Sequence, residues 1–291
     1  MKKRKGIILA GGSGSRLYPS TLGISKQLIP LYDKPMIFYP LSVLMHSGIQ
    51  DIAVIIKKED YDNFYKLLKD GSQWGISIEY IFQPSPDGLA QAYILANDFL
   101  NGSPSAMILG DNIFYGAGFG EMLKKANLST RCSIFGYQVN DPSAYGVIEF
   151  KNDGSINSIY EKPEKPQSDY AVTGLYFLDN EASSKALQII PSERGELEIT
   201  SLLNLYIAEE KIQMIDLGRG FTWLDTGTYE NLYEASNFIR TQQIRQGLLI
   251  GCLEEIAFKN GWITKQYLKK RLSTFKSNAY GKYLRQLIDL N

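Results

Sequence analysis

The chain has 291 residues, 31 basic and 31 acidic, so its formal charge is zero, and 44% of it is hydrophobic. That length buries a sizeable core, and the balanced charge leaves no basic footprint for nucleic acid. The basic start, Met-Lys-Lys-Arg-Lys, leads into an apolar run too short for a secretion signal or a membrane span, so no membrane partner is expected.

The first element is an apolar strand at 7–10, which runs into Gly11, Gly12 and Gly14, with Arg16 two residues later. Glycine lacks Cβ, so successive backbone N–H groups there can converge on phosphate oxygens. Arg16 and Lys26 set two cations beside this loop, a pattern that suits a nucleoside triphosphate. It is not a P-loop, because no Gly-x4-Gly-Lys-Ser/Thr spacing follows Gly11 or Gly12. Nor is it the dinucleotide fingerprint of a dehydrogenase, whose third glycine position is Leu17 here.

A helix at 37–46, a strand at 52–56, a helix at 60–68, a strand at 78–82, a helix at 88–100, a strand at 106–109 and a helix at 119–126 follow. This alternation predicts an α/β fold built on a doubly wound, mostly parallel sheet. From Cys132 the texture changes to strand-like runs at 133–139, 147–150, 156–160 and 171–178, with Asn152-Asp153-Gly154 as a turn. Helices at 181–190 and 198–209 and strands at 212–217 and 221–224 come next. After Thr228 the chain reads helical, interrupted around 247–251 and at Gly261. Cys132 and Cys252 have apolar surroundings and no metal or redox spacing, which predicts burial and fits a reducing cytoplasm. His46, the single histidine, has no second histidine with which to form a metal pair.

Asp111, in Leu109-Gly110-Asp111-Asn112, ends a strand at the carboxyl edge of the sheet, where ligands of doubly wound folds bind. Asp225, in Trp223-Leu224-Asp225-Thr226-Gly227, ends another. Two such carboxylates suit Mg²⁺, although either alone would equally serve as a cap or turn residue. Glu161-Lys162-Pro163 could bind a second phosphate and sugar hydroxyls, or form an exposed ion pair. Tyr145-Gly146 and Val172-Thr173-Gly174-Leu175-Tyr176 set glycines beside strands, where a flat polar ring can approach. Gln83 and the run Gly88-Leu89-Ala90-Gln91-Ala92 could read a pyrimidine edge, since an amide both donates and accepts. They could also be plain loop and helix residues.

Taken in order, these blocks together with Ser25-Lys26-Gln27-Leu28, Tyr32-Asp33-Lys34-Pro35-Met36 and Arg194-Gly195-Glu196-Leu197-Glu198-Ile199-Thr200 resemble the sugar-nucleotidyltransferase family, within it the thymidylyltransferases of dTDP-rhamnose synthesis. The resemblance extends from Lys5 to the C-terminus. It implies a Rossmann-like fold in which Gly11, Gly14, Ser15, Arg16, Lys26, Gln27, Gln83, Gly88 and Asp111 meet the nucleotide. Asn112, Tyr145, Gly146, Glu161, Lys162, Val172 and Tyr176 would line the sugar-phosphate pocket, and Asp111 and Asp225 would hold Mg²⁺. Arg16, Lys26, Asp111, Lys162 and Asp225 would form the catalytic set. Ser15 departs from the family's usual Thr but keeps the hydroxyl; His46 and Ser143-Ala144 depart without touching this chemistry.

The implied reaction is dTTP plus α-D-glucose 1-phosphate giving dTDP-glucose and pyrophosphate. The alternatives are a uridylyl- or other sugar-1-phosphate nucleotidyltransferase, or a non-catalytic sugar-nucleotide sensor, which would not need the metal–cation constellation. The resemblance also implies a main domain over 1–246, with a nucleotide-binding half at 1–130 and a sugar-binding half at 131–227, and a C-terminal helical segment at 247–291. Apolar residues at 248–258 would be buried within the monomer or between subunits. The family's habit is a homotetramer inhibited by dTDP-rhamnose, with Tyr115, Gly116, Arg219, Glu255 and Ile256 at the regulatory site.

Overall fold

The apolar runs of the first half become the centre of a nine-stranded sheet in the computed structural model, which describes residues 2–276 and 278–290. Positions 277 and 291 of the expected C-terminal segment, and Met1, lie outside the described residues. In chain order the strands are β1 (Lys5–Leu9), β2 (Pro30–Leu31), β3 (Lys34–Pro35), β4 (Asp51–Ile56), β5 (Ser77–Phe82), β6 (Ser105–Leu109), β7 (Asn112–Tyr115), β8 (Cys132–Gln138), β9 (Gly146–Phe150), β10 (Ile156–Glu161), β11 (Tyr170–Leu178), β12 (Ile212–Asp216) and β13 (Thr222–Asp225).

Four of them run parallel in the order β5-β4-β1-β6, so their carboxyl ends share one edge. The chain moves from β1 outward to β4 and β5, then returns to β6 on the other side of β1. Loops leaving β1 and β6 therefore diverge and open a crevice between them. Ile7, Ile8 and Ile52 through Ile56 are buried, the continuous apolar pattern of strands covered on both faces. Beyond β6 the sheet continues with β11, antiparallel to β6, β8 and β9; β9 and β10 form an antiparallel pair, and β12 runs parallel to β8.

Several elements differ from the sequence expectation, the short β2–β3 pair among them. The helix predicted at 88–100 is broken at Ala96 (φ −85°, ψ 5°) into Gln91–Leu95 and Asn97–Leu100. The helix predicted at 181–190 covers only Ala182–Ala186. Strand β7, which no apolar alternation announces, pairs antiparallel with β13 in a separate two-stranded ribbon.

The C-terminal helices Leu253–Lys259, Lys265–Phe275 and Ala279–Leu290 dock through Leu253, Ile256, Leu284 and Leu287 into the core that also contains Ile8, Leu44 and Trp74. Burying side chains of this size stabilises by about 1.5–3 kcal/mol each. Among them sits Glu254, only 1% exposed. Its carboxylate accepts hydrogen bonds from Trp74 Nε1 (2.9 Å), Arg271 Nη2 (2.7 Å) and the Tyr280 hydroxyl (2.5 Å). Both cysteines are free and buried, as expected. Among the described residues no helix is long and apolar enough to cross a membrane.

Candidate active site

Three loops leave the carboxyl edge of the parallel strands side by side. The backbone N–H of Ala10 donates to Ile55 O, that of Gly110 to Leu9 O and that of Gln83 to Ile56 O, at 2.8, 2.9 and 2.8 Å. The glycine loop, the Asp111 turn and Gln83 thus begin in one row. Lys26, in the short 3-10 turn Lys26–Leu28, is only 7% exposed, and its Nζ lies 2.6 Å from Asp111 Oδ2. Burial pushes the Asp111 carboxyl up, but the Lys26 ammonium and the Asn112 amide outweigh it and hold it below the usual carboxylate value.

Asn112 fixes that carboxylate from the other side, its Nδ2 donating to Asp111 Oδ1 at 2.9 Å. Its own Oδ1 accepts from Trp223 Nε1 (2.7 Å) and the backbone N–H of Gly174 (3.3 Å). Asp225 stands opposite Asn112 in the β7–β13 register. Thr226 ties the two aspartate turns together, its N–H and hydroxyl donating to Asp111 O at 3.2 and 3.0 Å. Asp225 also closes a turn, Oδ1 accepting from Gly227 N at 2.6 Å, and Thr228 then caps the helix Tyr229–Gln246. Arg16 reaches the same place: a Cβ built on Gly227 would stand 3.2 Å from either terminal guanidinium nitrogen and 2.7 Å from Asp225 Oδ1.

Against the ribbon the Tyr145 ring packs 5.0 Å from that of Trp223. Burial, then the neighbouring Asp225 carboxylate, pushes its phenol up to about 12. Glu161, at the end of β10, has Lys162 Nζ at 3.8 Å and Arg194 Nη1 at 3.6 Å. Burial and the nearby Glu198 nevertheless raise its carboxyl above the ordinary value. A Cβ on Gly146 would lie 3.7 Å from Glu161 Oε2. Buried Tyr176 links the two clusters, its phenol raised by burial and by the carboxylates of Glu161 and Asp111.

Among the described residues no group of three or more His, Cys, Asp or Glu side chains converges. Two carboxylates, Asp225 at the end of β13 and Asp111 in the turn that leads into its partner strand β7, fit a hard divalent cation of the Mg²⁺ type, which takes one or two carboxylates plus water and phosphate oxygens. They do not fit a closed zinc site.

A sequence profile described as "Nucleotidyl transferase" matches residues 5–242. The chain belongs to that family. It is 56% identical over 288 residues to a glucose-1-phosphate thymidylyltransferase of Xanthomonas campestris pv. campestris, covering 99% of this chain and 98% of that one. A protein of the same description from Mycobacterium tuberculosis is 47% identical over 287 residues, covering 99% of this chain and all of the other. Among solved structures, one described as a glucose-1-phosphate thymidylyltransferase from Bacillus anthracis in complex with a sucrose superposes with a TM-score of 0.74 at 37% identity, covering 81% of this chain and 95% of that one. UDP-glucose pyrophosphorylase complexed with UDP-glucose, at 24% identity and a TM-score of 0.72 over 83% of this chain and all of the other, shares the fold.

In this nucleotidyl transferase Gly11, Lys26, Gln27, Gln83 and Asp111, all expected at the nucleotide, are gathered at the row just described. Ser15 and Arg16 lie in the 3-10 turn after Gly14, and Gln27 is buried, with Oε1 accepting from Ser25. Gly88 is a backbone necessity: its φ is +113°, and a Cβ would come within 2.4 Å of Leu197 O. Asn112 belongs to the ribbon, Tyr145 packs on it, Gly146 and Glu161 pair across β9 and β10, Lys162 is exposed beside Glu161, and Val172 and Tyr176 are buried on β11. Arg194, which sequence reasoning quoted within a block without a role, is the cation that joins Glu161 to Glu198. Its only sequence signal was its place among acidic residues.

A separate cavity of about 460 Å³ lies behind the ribbon, lined by Tyr115, Gly116, Glu255 and Ile256, and by His46 and Leu248 among others. Arg219, expected with the first four, does not line it. It sits exposed two residues before Phe221, whose ring covers Gly116.

Proposed function

We propose that this chain transfers a thymidylyl group from dTTP to α-D-glucose 1-phosphate, releasing pyrophosphate. The observation that carries the reading is the Lys26–Asp111 pair beside Asp225 at the crevice between β1 and β6, in a chain whose near full-length relatives are described as glucose-1-phosphate thymidylyltransferases. A phosphate oxygen of the sugar attacks the α-phosphorus; the new O–P bond forms as the bond to pyrophosphate breaks. No protein nucleophile is required, because a phosphate monoester is already ionised at neutral pH. The task is to hold two polyanions in line and offset the charge that develops on the leaving group.

The glycine loop with Ser15, Arg16 and Lys26 serves the triphosphate, while Gln27 braces the loop and Gln83 and Gly88 meet the base. Lys162 and Arg194 hold the attacking phosphate, Glu161 accepts from sugar hydroxyls, and Tyr145, Val172 and Tyr176 wall the pocket. Asp111 and Asp225 would hold Mg²⁺, which when bound neutralises phosphate charge as a Lewis acid. In the free protein Lys26 and Asp111 neutralise each other, which keeps a buried cation paired until phosphate arrives.

Residues 1–130 and 131–227 would serve nucleotide and sugar, with 247–291 as an appended segment. In the same reading dTDP-rhamnose binds at Tyr115, Gly116, Glu255 and Ile256, and Arg219 would come from a rearranged turn or another copy. A 460 Å³ cavity suits a ligand of that size class. Strand β7 spans from Asn112 to Tyr115, roughly 10 Å, and so connects cavity and active site. The helix Tyr229–Gln246 exposes Tyr233 and Ile244, apolar surface suited to a homotetramer in the cytoplasm.

The test is pyrophosphate release with Mg²⁺ across dTTP, UTP, ATP, CTP and GTP against several sugar 1-phosphates. Fastest turnover with dTTP and glucose 1-phosphate is expected. A preference for UTP would favour the uridylyl alternative, and sugar-nucleotide binding without turnover would favour a sensor.

A further inference from the structure

Gln83 is 7% exposed, and its amide is gripped from one side. Its Nε2 donates to Gln91 Oε1 at 2.7 Å. Gln91, also 7% exposed, donates through its own Nε2 to Asp87 Oδ2 at 2.7 Å, while its Oε1 additionally accepts from the backbone N–H of Asp87 at 3.3 Å. Asp87 Oδ2 takes a further bond from Ser85 Oγ at 2.6 Å. The backbone is strapped as well, since Leu197 N donates to Asp87 O at 2.6 Å and Ala90 N to Leu197 O at 3.0 Å.

These contacts have a single polarity. A carboxylate accepts and cannot donate, so it selects the NH₂ end of Gln91. Gln91 must then turn its oxygen towards Gln83, and Gln83 must answer with its own NH₂. The oxygen of Gln83 is left pointing away, over Gly11, where a Cβ would stand only 2.0 Å from it. No protein donor reaches that oxygen among the described residues. An unassisted amide turns end for end at little cost, because the two ends have the same shape. Here the turn would set two NH₂ groups, or two oxygens, face to face somewhere along the chain of bonds.

We propose that Asp87 and Gln91 are positioning residues that lock the Gln83 amide to read a keto pyrimidine and reject cytosine. This rests on the thymidylyl reading of the same site. Thymine and uracil offer an N3–H donor flanked by carbonyl acceptors, which matches an amide oxygen beside one free amide N–H. Cytosine offers a bare N3 acceptor beside an amino donor, which matches the same amide only after it has turned over. With the turn forbidden, cytosine leaves buried polar groups unpaired. A site built on hydrogen bonds discriminates strongly in that situation, whereas a merely apolar pocket does not.

The test compares kcat/KM for dTTP, dUTP and dCTP with glucose 1-phosphate. Gln91→Met removes the acceptor that holds Gln83, and the dTTP:dCTP ratio should fall about tenfold or more, a change of about 1.4 kcal/mol or more, while dTTP:dUTP stays put because both bases present the same edge. The paired swap Asp87→Asn with Gln91→Glu rebuilds the polarity, since the carboxylate it introduces accepts from both neighbouring amides, and should return the dTTP:dCTP ratio towards that of the parent. Asp87→Asn alone, isosteric and at an exposed position, guards against a misfolded Gln91→Met and should give an intermediate ratio. An unchanged dTTP:dCTP ratio in both single variants, or a paired swap no more selective than Gln91→Met, overturns the lock. A parent protein that prefers a purine triphosphate overturns the thymidylyl reading instead, so the two failures are told apart.

Discussion

Lys26 Nζ and Asp111 Oδ2, 85 positions apart in the chain, meet at 2.6 Å where the loops of β1 and β6 part. The pair joins the group proposed to hold phosphate to a group proposed to hold metal, so each is neutralised in the absence of substrate.

Removing the cation should therefore have two separable effects. In Lys26→Ala, kcat should fall about 10²-fold or more, the usual loss for an electrostatic donor to developing charge. The depressed Asp111 carboxyl contributes stability that is present above its ordinary value of 3.8 and is lost as the pH falls below it. Lys26→Ala, lacking that contribution, should lose less stability than the parent on acidification below pH 3.8. Urea midpoints over an acid series measure this, and identical slopes would count against the pairing.

Chelation tests the carboxylate pair. EDTA should abolish turnover and Mg²⁺ restore it, and Asp111→Asn and Asp225→Asn should each weaken Mn²⁺ binding seen by paramagnetic resonance. Asp225→Asn retains an oxygen to accept from Gly227 N, so its melting temperature should stay near that of the parent. Turnover in metal-free buffer would remove the metal from the reading.

Much of this was legible in the chain before any coordinates. Strands β1, β4 and β6 carry short, continuously apolar runs, β5 alternates around Glu79, and the glycine loop after β1 and Asp111 after β6 mark the edge that binds. The β7–β13 ribbon was not legible, because Asn112–Tyr115 begins with a polar residue and alternates with nothing; its pairing with Thr222–Asp225 exists only in space. The roles of Asp87, Gln91 and Arg194 were hidden for the same reason. A hydrogen-bonded amide looks like any helix-start glutamine until its neighbour is known. The break at Ala96 escaped because alanine is a good helix former, so tertiary packing of Ala92, Tyr93 and Leu100 overrode local preference.

Glu161 should titrate in the opposite sense to Asp111. Its carboxyl is raised by burial and by Glu198, so the folded state holds the proton more tightly than the unfolded chain. Stability should therefore fall as the pH rises above the ordinary glutamate value of 4.5 towards the folded value. Glu161→Gln removes that decline, so melting curves of variant and parent should separate progressively from pH 4.5 upwards. The same variant should raise KM for glucose 1-phosphate more than KM for dTTP.

Glu254 carries the docking of the C-terminal helices. Glu254→Leu would strand the Arg271 guanidinium and free Trp74 Nε1, and breaking a buried pair from one side costs about 3 kcal/mol or more. Glu254→Gln, which still accepts hydrogen bonds, should lose distinctly less. Urea unfolding separates them, and equal losses would mean that shape rather than charge holds the segment.

The cavity behind the ribbon offers a test of regulation that leaves the chemistry alone. Leu248 lines it yet is 53% exposed, so a larger side chain there can fill the space without straining the core. If dTDP-rhamnose inhibits by entering this cavity, Leu248→Trp should weaken inhibition about tenfold, equivalent to about 1.4 kcal/mol. Basal turnover should hold, because Tyr115 and Asn112 occupy opposite ends of β7 and only the cavity end is crowded. An inhibitor that merely competes as a product analogue would sit at Lys162 and Glu161, and Leu248→Trp would leave its inhibition constant unchanged. Loss of inhibition together with a dissociated oligomer would assign the effect to subunit packing, so light scattering accompanies the kinetics.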